Sequence, residues 1–173
     1  NGTANGNPAT NFASGVRGKA RVFTNSTADY ISEPATISTM GIAAAGSIST
    51  WVYPTPTINN NDSIVSDVQG ATYYGDFGFF GGGSNTLRAN IYDSGGLKGV
   101  TSTAISLNNW HFLTMTWDSG TLKFYIDSNL VGSTAGGAIA TITGATMQIG
   151  AVQTWKAMAG NIDETMITKN VLT

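Results

Sequence analysis

The sequence predicts an all-β protein folded as a two-sheet antiparallel jelly-roll sandwich, and three observations support this fold class. Apolar residues recur at every second position through many short segments, which is the period of a strand with one buried face. Gly, Asn, Asp, Ser and Pro cluster between these segments, where they favour turns. Only 10% of the 173 residues are charged, while 41% are hydrophobic and 22 are Gly. Many short strands separated by turn residues are typical of a sandwich or jelly roll, and the hydrophobic fraction argues against disorder.

Eleven segments with this alternation are predicted as strands. In chain order they span residues 19–23, 29–32, 47–53, 63–68, 72–80, 86–93, 110–118, 121–127, 129–134, 146–150 and 161–168. No segment has the length and period of an ordinary helix, although TMGIAAAG at 39–46 could form one helical turn capped by Thr39. In the strand at 47–53, Trp51 and Tyr53 lie on one face opposite Val52, and the sequence leaves open which face is core.

The stretch NNWHFLTMTWDSGTLKFYIDSN, residues 108–129, contains the single His of the chain. The more apolar face of its first strand is predicted to be buried, and it consists of His111, Leu113, Met115 and Trp117. The next strand then directs Leu122, Phe124 and Ile126 inward. Because no G-x-S-x-G motif accompanies His111, we expect its ring to cap the edge of the core and to bond a backbone carbonyl, rather than to act as a catalytic base.

Composition limits the function classes. The eight Lys and Arg are scattered, which does not match the basic surface of a nucleic-acid-binding protein. No apolar run approaches the ~20 residues that a membrane-spanning helix needs, so we expect no membrane insertion. The absence of Cys excludes thiolate chemistry and disulfides. We expect one domain over residues 1–173 that is part of a longer chain, since the first residue is Asn rather than Met.

Four segments carry a family resemblance: SISTWVYP, NNWHFLTMTWDSGTLKFYIDSNLVGS, MQIG and GNIDETMITKNVLT. Their order is similar to that of laminin-G-like domains of the concanavalin A-like lectin/glucanase superfamily, over roughly residues 15–173. The resemblance implies two curved antiparallel sheets packed face to face, in a family whose members often bind glycans or act in adhesion. One departure is the hairpin, where the usual Asp-Gly is Asp127-Ser128-Asn129, which we expect to change the turn type more than the topology.

Catalytic carboxylates of the kind found in glycosidases are not apparent in the sequence. Glycosidases of the superfamily that this chain resembles place two Glu on one strand, and a retaining mechanism needs carboxyl groups about 5 Å apart. This chain has two Glu, Glu33 and Glu164, in different segments, and Asp76 has no acidic residue two positions away. No catalytic residues are therefore predicted, and a glycosidase or lyase would require an acid pair assembled from distant segments.

A candidate binding face lies in YYGDFGFFGGGSNTLRANIY, residues 73–92. If residues 81–85 form the loop of a hairpin, opposed positions have numbers that sum to 166, and polar and aromatic residues share the outer face. The predicted ligand-binding residues of this hairpin are Tyr74, Asp76, Arg88, Asn90 and Tyr92. Aromatic rings suit the apolar faces of sugars, and carboxylate, amide and guanidinium groups suit their hydroxyls. Ordinary cross-strand pairs on a solvated sheet are the alternative interpretation.

Two further positions are candidates. Trp155, in the loop GAVQTWKAMAG, could stack on a ligand or fold over the edge of the sandwich. The motif GNIDE resembles one in relatives that often hold a structural calcium ion near the closing strand. The resemblance implies Asp163 as a calcium ligand, with backbone carbonyls of the N-terminal segment as further ligands. An aspartate that simply accepts hydrogen bonds from neighbouring amides is the alternative.

These observations lead to a non-catalytic carbohydrate-binding or adhesion module with a glycan or polysaccharide ligand, on an extracellular, cell-surface or virion-associated protein. The alternative is a structural or protein-interaction domain of a phage tail or bacterial surface appendage, in which the parent chain could form an oligomer. Neither nucleic acid nor membrane insertion is expected.

Overall fold

The structure is a computed structural model that describes residues 2–6, 10–26, 28–37, 39–56, 62–69, 72–80, 85–118, 120–140, 146–152 and 156–172. For residues 68–69, 72–80 and 156 the description is limited to the backbone. These residues form two packed antiparallel sheets, which confirms the predicted all-β sandwich. Among them, no helix combines the length and apolarity that crossing a membrane requires.

The first sheet, here sheet A, has nine strands. Seven of them lie side by side in the order β1 (Thr3–Asn5), β4 (Tyr30–Glu33), β13 (Thr146–Ile149), β6 (Ser63–Gln69), β7 (Thr72–Phe80), β8 (Thr86–Asp93) and β9 (Gly96–Ala104). Two short strands, β14 (Ala151–Val152) and β15 (Lys156–Ala157), pair with each other, and β15 also makes a parallel bridge to the start of β6. Neighbouring strands in space therefore come from distant parts of the chain.

The second sheet, sheet B, has seven strands. Their order is β12 (Asn129–Ala135), β11 (Thr121–Ile126), β10 (His111–Trp117), β5 (Gly46–Pro54), β16 (Ala159–Thr168), β3 (Lys19–Thr24) and β2 (Phe12–Ser14). The β11–β12 turn has positive φ at both central residues, 51° at Asp127 and 67° at Ser128. These are the signs of the type I′ turn that Asp-Gly favours, so the expected change of turn type is not observed.

All eleven predicted strands are present, with ends within two residues of the prediction. The sequence analysis missed β1, β2, β9, β14 and β15. The nine-residue β9 was missed because its apolar residues do not alternate: Leu97 and Val100 lie on opposite faces, and Gly, Ser and Thr fill most of the rest.

The core lies between the sheets. The predicted inward face of β10 is confirmed, since Leu113, Met115 and Trp117 are fully buried and His111 is nearly so. On β5, Val52 points into the core, whereas Trp51 and Tyr53 lie half-buried on the outer face.

The loop after β4 reaches into the core and forms one helical turn. The amide of Met40 donates to the carbonyl of Thr36 (2.9 Å), and the amide of Thr39 donates to the Thr36 hydroxyl (3.1 Å). The turn therefore precedes the predicted span 39–46, and its capping residue is Thr36 rather than Thr39, because the cap is the residue whose side chain accepts from the first turn. The turn is anchored by the indole of Trp117, whose Nε1 donates to the carbonyl of Ile42 at 2.8 Å.

Candidate functional site

The predicted register of the β7–β8 hairpin is confirmed. Asp76 pairs with Asn90 and Gly78 with Arg88, so paired positions sum to 166. Ala89 and Ile91 are fully buried on the core side, which places Arg88, Asn90 and Tyr92 on the outer face of sheet A. The predicted side chains of Tyr74 and Asp76 lie outside the described part of the structure, although the register places Asp76 beside Asn90.

A line of directly paired residues continues from this hairpin across the outer face of sheet A. Paired residues on adjacent strands share a face, so the line is fixed by backbone register. We call it the polar row; its members, one from each strand in spatial order, are Thr3, Ser32, Gln148, Ser66, Asp76, Asn90 and Gly99. Two of the predicted site residues, Asp76 and Asn90, belong to it, while Arg88 and Tyr92 flank Asn90 along β8.

Asn90 is far more buried than a residue on a solvated face. Only 7% of it is exposed, and its Oδ1 has no hydrogen-bond partner within the described structure. The cause is Gly99 on β9, across which the side chains of Asn90 and Arg88 both fold. A Cβ placed on Gly99 would stand 2.6 Å from Arg88 Nε and would also clash with Asn90 Oδ1. Gly99 thus provides the space in which an amide and a guanidinium meet.

Gln148 is a second buried amide on the same row, and sequence reasoning missed it. It is 9% exposed, and its Oε1 likewise lacks a partner among the described residues. An unpaired buried carbonyl costs about 1–3 kcal/mol. Two of them on one face therefore indicate that a ligand or water supplies the missing hydrogen-bond donors. The only sequence signal that could have identified it was a single polar amide between Met147 and Ile149 in a short strand.

The β14–β15 hairpin begins on this same face. The hydroxyl of Ser66, a member of the polar row, donates to the carbonyl of Ala151 at 2.8 Å. This contact brings the base of the hairpin over β6, between Asn90 on one side and Gln148 on the other. Trp155, the predicted stacking residue, comes between β14 and β15 in the sequence and lies outside the described residues.

Asp163 lies on the outer face of sheet B, not near the polar row, and pairs with Trp51. Its Oδ2 accepts from the amide of Arg17 and its Oδ1 from the amide of Glu164, both at 3.0 Å. Two N–H dipoles directed at the carboxylate do not fit a calcium site, which needs converging oxygens. No group of three or more His, Asp or Glu within the described residues could hold a metal. The geometry matches the amide-bonded alternative, and calcium at Asp163 stays a prediction.

His111 forms a chain of contacts that resembles the order of a serine-hydrolase triad. Its Nδ1 lies 2.8 Å from Asp127 Oδ2, and its Nε2 lies 2.9 Å from Ser106 Oγ. The same Nε2 is 3.0 Å from the backbone carbonyl of Ser106, as the sequence predicted for a ring that caps the core edge. If the ring proton is on Nδ1 and goes to Asp127, then Nε2 accepts from the Ser106 hydroxyl, whereas Nε2 donates to the Ser106 carbonyl only when it carries a proton itself. The Asp127 carboxylate also accepts from the amide of Phe112, so the three residues tie the β11–β12 turn to β10.

The outer face of sheet B is aromatic. We call its half-buried rings the aromatic cluster: Trp51, Tyr53, Trp110, Phe112 and Tyr125. The Trp51 and Phe112 rings are 5.0 Å apart between centroids, and those of Tyr53 and Trp110 are 5.5 Å apart. These distances fall in the range of favourable aromatic pairs, so the rings largely satisfy one another.

The pKa values of two buried carboxyl groups of sheet A are shifted in opposite directions. Burial raises the pKa of Asp67, whose side chain lies on the core side of β6, although a hydrogen bond from the Ile37 amide opposes the shift. At the end of β8, the amide of Gly137 lowers the pKa of Asp93, helped by the amide of Gly95 and the charge of Lys98. Neither group belongs to the polar row, so neither is a candidate for ligand chemistry.

A family model described as the concanavalin A-like lectin/glucanases superfamily, of the laminin G type, matches residues 25–173. The chain belongs to this superfamily. The resemblance inferred from the four segments is therefore confirmed, and the jelly-roll sandwich is the fold that the superfamily shares. Among curated proteins, no significant match is found for this laminin-G-type domain.

Solved structures similar to this laminin-G-type domain share its fold at low sequence identity. Domain 4 of AbnA, an extracellular GH43 arabinanase from Geobacillus stearothermophilus solved with arabinotriose, is 22% identical, with a TM-score of 0.74 over 99% of this chain and 84% of that one. The CBM40 of the Ruminococcus gnavus IT-sialidase, bound to α2,3 sialyllactose, is 12% identical, with a TM-score of 0.68 over 89% and 91% of the two chains. The receptor-binding domain of botulinum neurotoxin type G is 18% identical, with a TM-score of 0.70 over 99% of this chain and 44% of that one.

Proposed function

We propose that this domain is a non-catalytic carbohydrate-binding module and that its ligand lies on the outer face of sheet A. The observation that carries the proposal is the pair of buried, unpartnered amide oxygens, Asn90 Oδ1 and Gln148 Oε1, on one polar row. Structures of similar fold were solved with arabinotriose and with sialyllactose, which supports a glycan as the ligand class.

The chemistry of the face suits a sugar. By residue type the polar row consists of three hydroxyl residues, two amides, one Asp and one Gly at strand spacing, with the Ser66 hydroxyl bonded to the Ala151 carbonyl. Sugars present closely spaced hydroxyls that such groups recognise through hydrogen bonds. Arg88 and Tyr92 flank Asn90 on the same face and are half-buried, so a planar cation and an aromatic ring lie beside the buried amide. Tyr74 and Trp155 stay predicted stacking residues of the same site.

Within the part of the chain that the structure describes, the two Glu do not form an acid pair, which supports a binding role over a catalytic one. The two Glu of the chain, Glu33 and Glu164, lie on β4 of sheet A and β16 of sheet B. The buried Asp67 faces the core, where a polysaccharide does not reach. His111 lies on β10 of sheet B, whereas the polar row lies on sheet A. Binding without turnover is consistent with an extracellular or surface location, where glycans are found.

Isothermal titration calorimetry against a panel of soluble oligosaccharides tests this proposal. We expect at least one ligand to bind at millimolar concentration or below, and Asn90→Ala to weaken it about ten-fold, as expected from losing a side-chain hydrogen bond in a buried site. Tyr125→Ala, on the outer face of sheet B, is the matched control and should leave the affinity unchanged. Failure of the folded wild-type protein to bind any oligosaccharide at millimolar concentration would reject the proposal.

A protein-interaction role is the second candidate, and it rests on the aromatic cluster. Leu130, 56% exposed, and Met166, 46% exposed, extend this apolar outer face. Exposed apolar area of this kind is common where domains contact other proteins. Retention of the parent protein's assembly in a Trp51→Ala or Leu130→Asp variant would argue against such a role.

A further inference from the structure

We infer that the free edge of β2 binds an extended peptide in which acidic residues alternate with apolar ones, by adding it to sheet B as a further strand. Among the described residues, β2 (Phe12–Ser14) is the outermost strand of that sheet next to β3. This edge lies apart from the polar row of sheet A and from the aromatic cluster, because β2 contributes to neither.

The backbone of β2 directs hydrogen-bonding groups away from sheet B. In an antiparallel pair, residues that exchange backbone bonds alternate with residues whose N–H and C=O groups point the other way. The amide of Val22 donates to the carbonyl of Asn11 at 3.3 Å, which sets the parity of the β2–β3 ladder. Asn11 and Ala13 therefore bond to β3. The N–H and C=O groups of Phe12 and Ser14 point instead to the free edge, as the main-chain addition of a strand requires.

The free edge is accessible to another chain. Phe12 is 47% exposed, and Ser14 is exposed as well. β2 contains neither a charged residue nor Pro, which are two of the features that usually prevent an edge strand from pairing. Its three residues give an edge of roughly 10 Å, so the contact suits a peptide of about three to five residues. A groove of about 740 Å³ runs along this edge and is lined by residues 10–14, Gly18, Lys19 and Val22.

Positive charge lies over the same edge. Phe12 pairs directly with Arg21, and Ser14 pairs with Lys19, so the two cations share the face of Phe12. Lys19 Nζ lies 5.5 Å and Arg21 Cζ lies 4.4 Å from the centroid of the Phe12 ring. Both positive groups therefore lie over β2, although their backbones belong to β3. A strand added beside β2 places every second side chain next to this face, where acidic residues complement the charge.

The charge of Lys19 is not neutralised within the described part of the chain. Glu164 lines a small cavity together with Lys19. No carboxylate of the described residues comes within salt-bridge distance of the Lys19 ammonium group, which is exposed. Lys19 is therefore the positive group to which a ligand carboxylate pairs most directly.

The opposite face of β2 is small and apolar. Ala13 is half-buried on this face, and Val22, its diagonal neighbour on β3, is half-buried beside it. The intervening side chains of an added strand contact these residues, so apolar side chains suit those positions. The alternation of acidic and apolar residues in the peptide follows from the two faces together.

Amide chemical shifts recorded by NMR during peptide titration test the inference. The probes are capped Glu-Val-Glu-Val-Glu and Lys-Val-Lys-Val-Lys peptides, with free glutamate as a simple anion. We expect the acidic peptide to bind about ten-fold more tightly than the basic one and to weaken as the salt concentration rises. The largest shifts should be at Phe12 and Ser14, and free glutamate should not reproduce them.

Three results would overturn the inference. Equal affinity for the two peptides would remove the role of charge. Equal shifts with free glutamate would indicate an anion site rather than strand addition. Shifts of the same amides that depend on protein concentration without peptide would show that a second copy of this chain occupies the edge.

Ser14→Pro tests the backbone contact. The substitution removes an N–H group from the free edge without removing a bond to β3, and edge strands tolerate Pro at such positions. It should weaken the acidic peptide about ten-fold, since it also prevents close approach of the added strand. Ser14→Ala, which retains the N–H group, is the matched control and should bind as the wild type does. Unchanged affinity in folded Ser14→Pro would contradict strand addition.

Lys19→Glu tests the charge and does not alter the backbone. It should reverse the preference, so that the basic peptide binds more tightly than the acidic one. Lys123→Glu, at an exposed position on β11 of the same sheet, changes the net charge equally and should preserve the acidic preference. An acidic preference that persists in Lys19→Glu would overturn the inference, and saccharide binding on sheet A should be the same in all four variants.

Discussion

The two outer faces of the sandwich differ in how completely their side chains satisfy one another. On sheet B, four of the five rings of the aromatic cluster contact each other in pairs at 5.0 and 5.5 Å, and the buried carboxylate of Asp163 accepts two backbone amides. On sheet A, two buried amide oxygens have no partner among the described residues. The polar groups described on the first face have partners within the chain, whereas two buried oxygens on the second have no donor among the described residues.

The contrast identifies where a ligand would have the larger effect. A face whose groups are already paired gains little hydrogen bonding from a polar ligand, but its rings contribute to the stability of the fold. On a face with unpaired buried acceptors, a ligand that donates hydrogen bonds to them removes the free-energy cost of leaving them unpaired. Substitutions on sheet B should therefore change stability, and substitutions on sheet A should change affinity.

The largest expected effect is on stability and belongs to sheet B. Trp51→Ala removes a ring that packs against Phe112, and it should lower the free energy of unfolding by about 2–3 kcal/mol, somewhat less than for a fully buried Trp. Chemical denaturation monitored by the remaining tryptophans measures the change. The folded variant should bind its oligosaccharide with wild-type affinity. Lost affinity with unchanged stability would reverse the assignment of the two faces.

A smaller effect, on affinity alone, is expected at Gly99 of sheet A. Gly99→Ala places a methyl group where the side chains of Asn90 and Arg88 meet, so both must move. Because the clash involves side-chain ends rather than backbone, the free energy of unfolding should change by less than about 1 kcal/mol. Calorimetry should show an affinity loss of about ten-fold, or about 1.4 kcal/mol. Thr103→Ala, exposed on the same strand, serves as the control, and equal losses in both variants would contradict the role of Gly99.

The smallest effect concerns the end of sheet A and depends on pH. The amides of Gly137 and Gly95 donate to Asp93 at 2.8 and 2.7 Å and hold the pKa of its carboxyl below the ordinary value of 3.8. A lowered folded pKa contributes stability that is present above pH 3.8 and is lost as the pH falls through the folded pKa. Asp93→Asn should therefore be less stable than wild type by about 1 kcal/mol at neutral pH, with the difference shrinking below pH 3.8. Thermal denaturation across this range measures it, and a pH-independent difference would exclude the carboxylate as the cause.

The alternation of apolar and polar residues along the chain was enough to predict the long strands, the buried face of β10 and the register of the β7–β8 hairpin. Each of these depends on residues close in sequence, where parity fixes the face. Parity gives the direction of a side chain but not its depth, so the burial of Asn90 could not be anticipated. That burial comes from Gly99 and Arg88, and β9 was the strand that the alternation did not reveal.

Gln148 could not be found because the polar row depends on strand order. β13, β6 and β7 are neighbours in sheet A, yet some 80 residues separate Ser66 from Gln148 in the sequence. Alternation in a single sequence predicts strands but not which of them pair across such distances. The placement of Asp163 shows the same limit, since one of its two amide donors, Arg17, lies 146 residues away in the loop between β2 and β3.

Each member of the polar row comes from a different strand, so no short peptide from this protein could reproduce the site. The proposed recognition requires that strands from the first residues to beyond residue 140 have all assembled, so saccharide affinity would measure the intact native population. Ligand binding should in turn stabilise the folded protein. A saccharide present at a hundred times its Kd should raise the unfolding free energy by about 2.7 kcal/mol, so a rise in melting temperature would report ligand recognition without labelling or immobilisation.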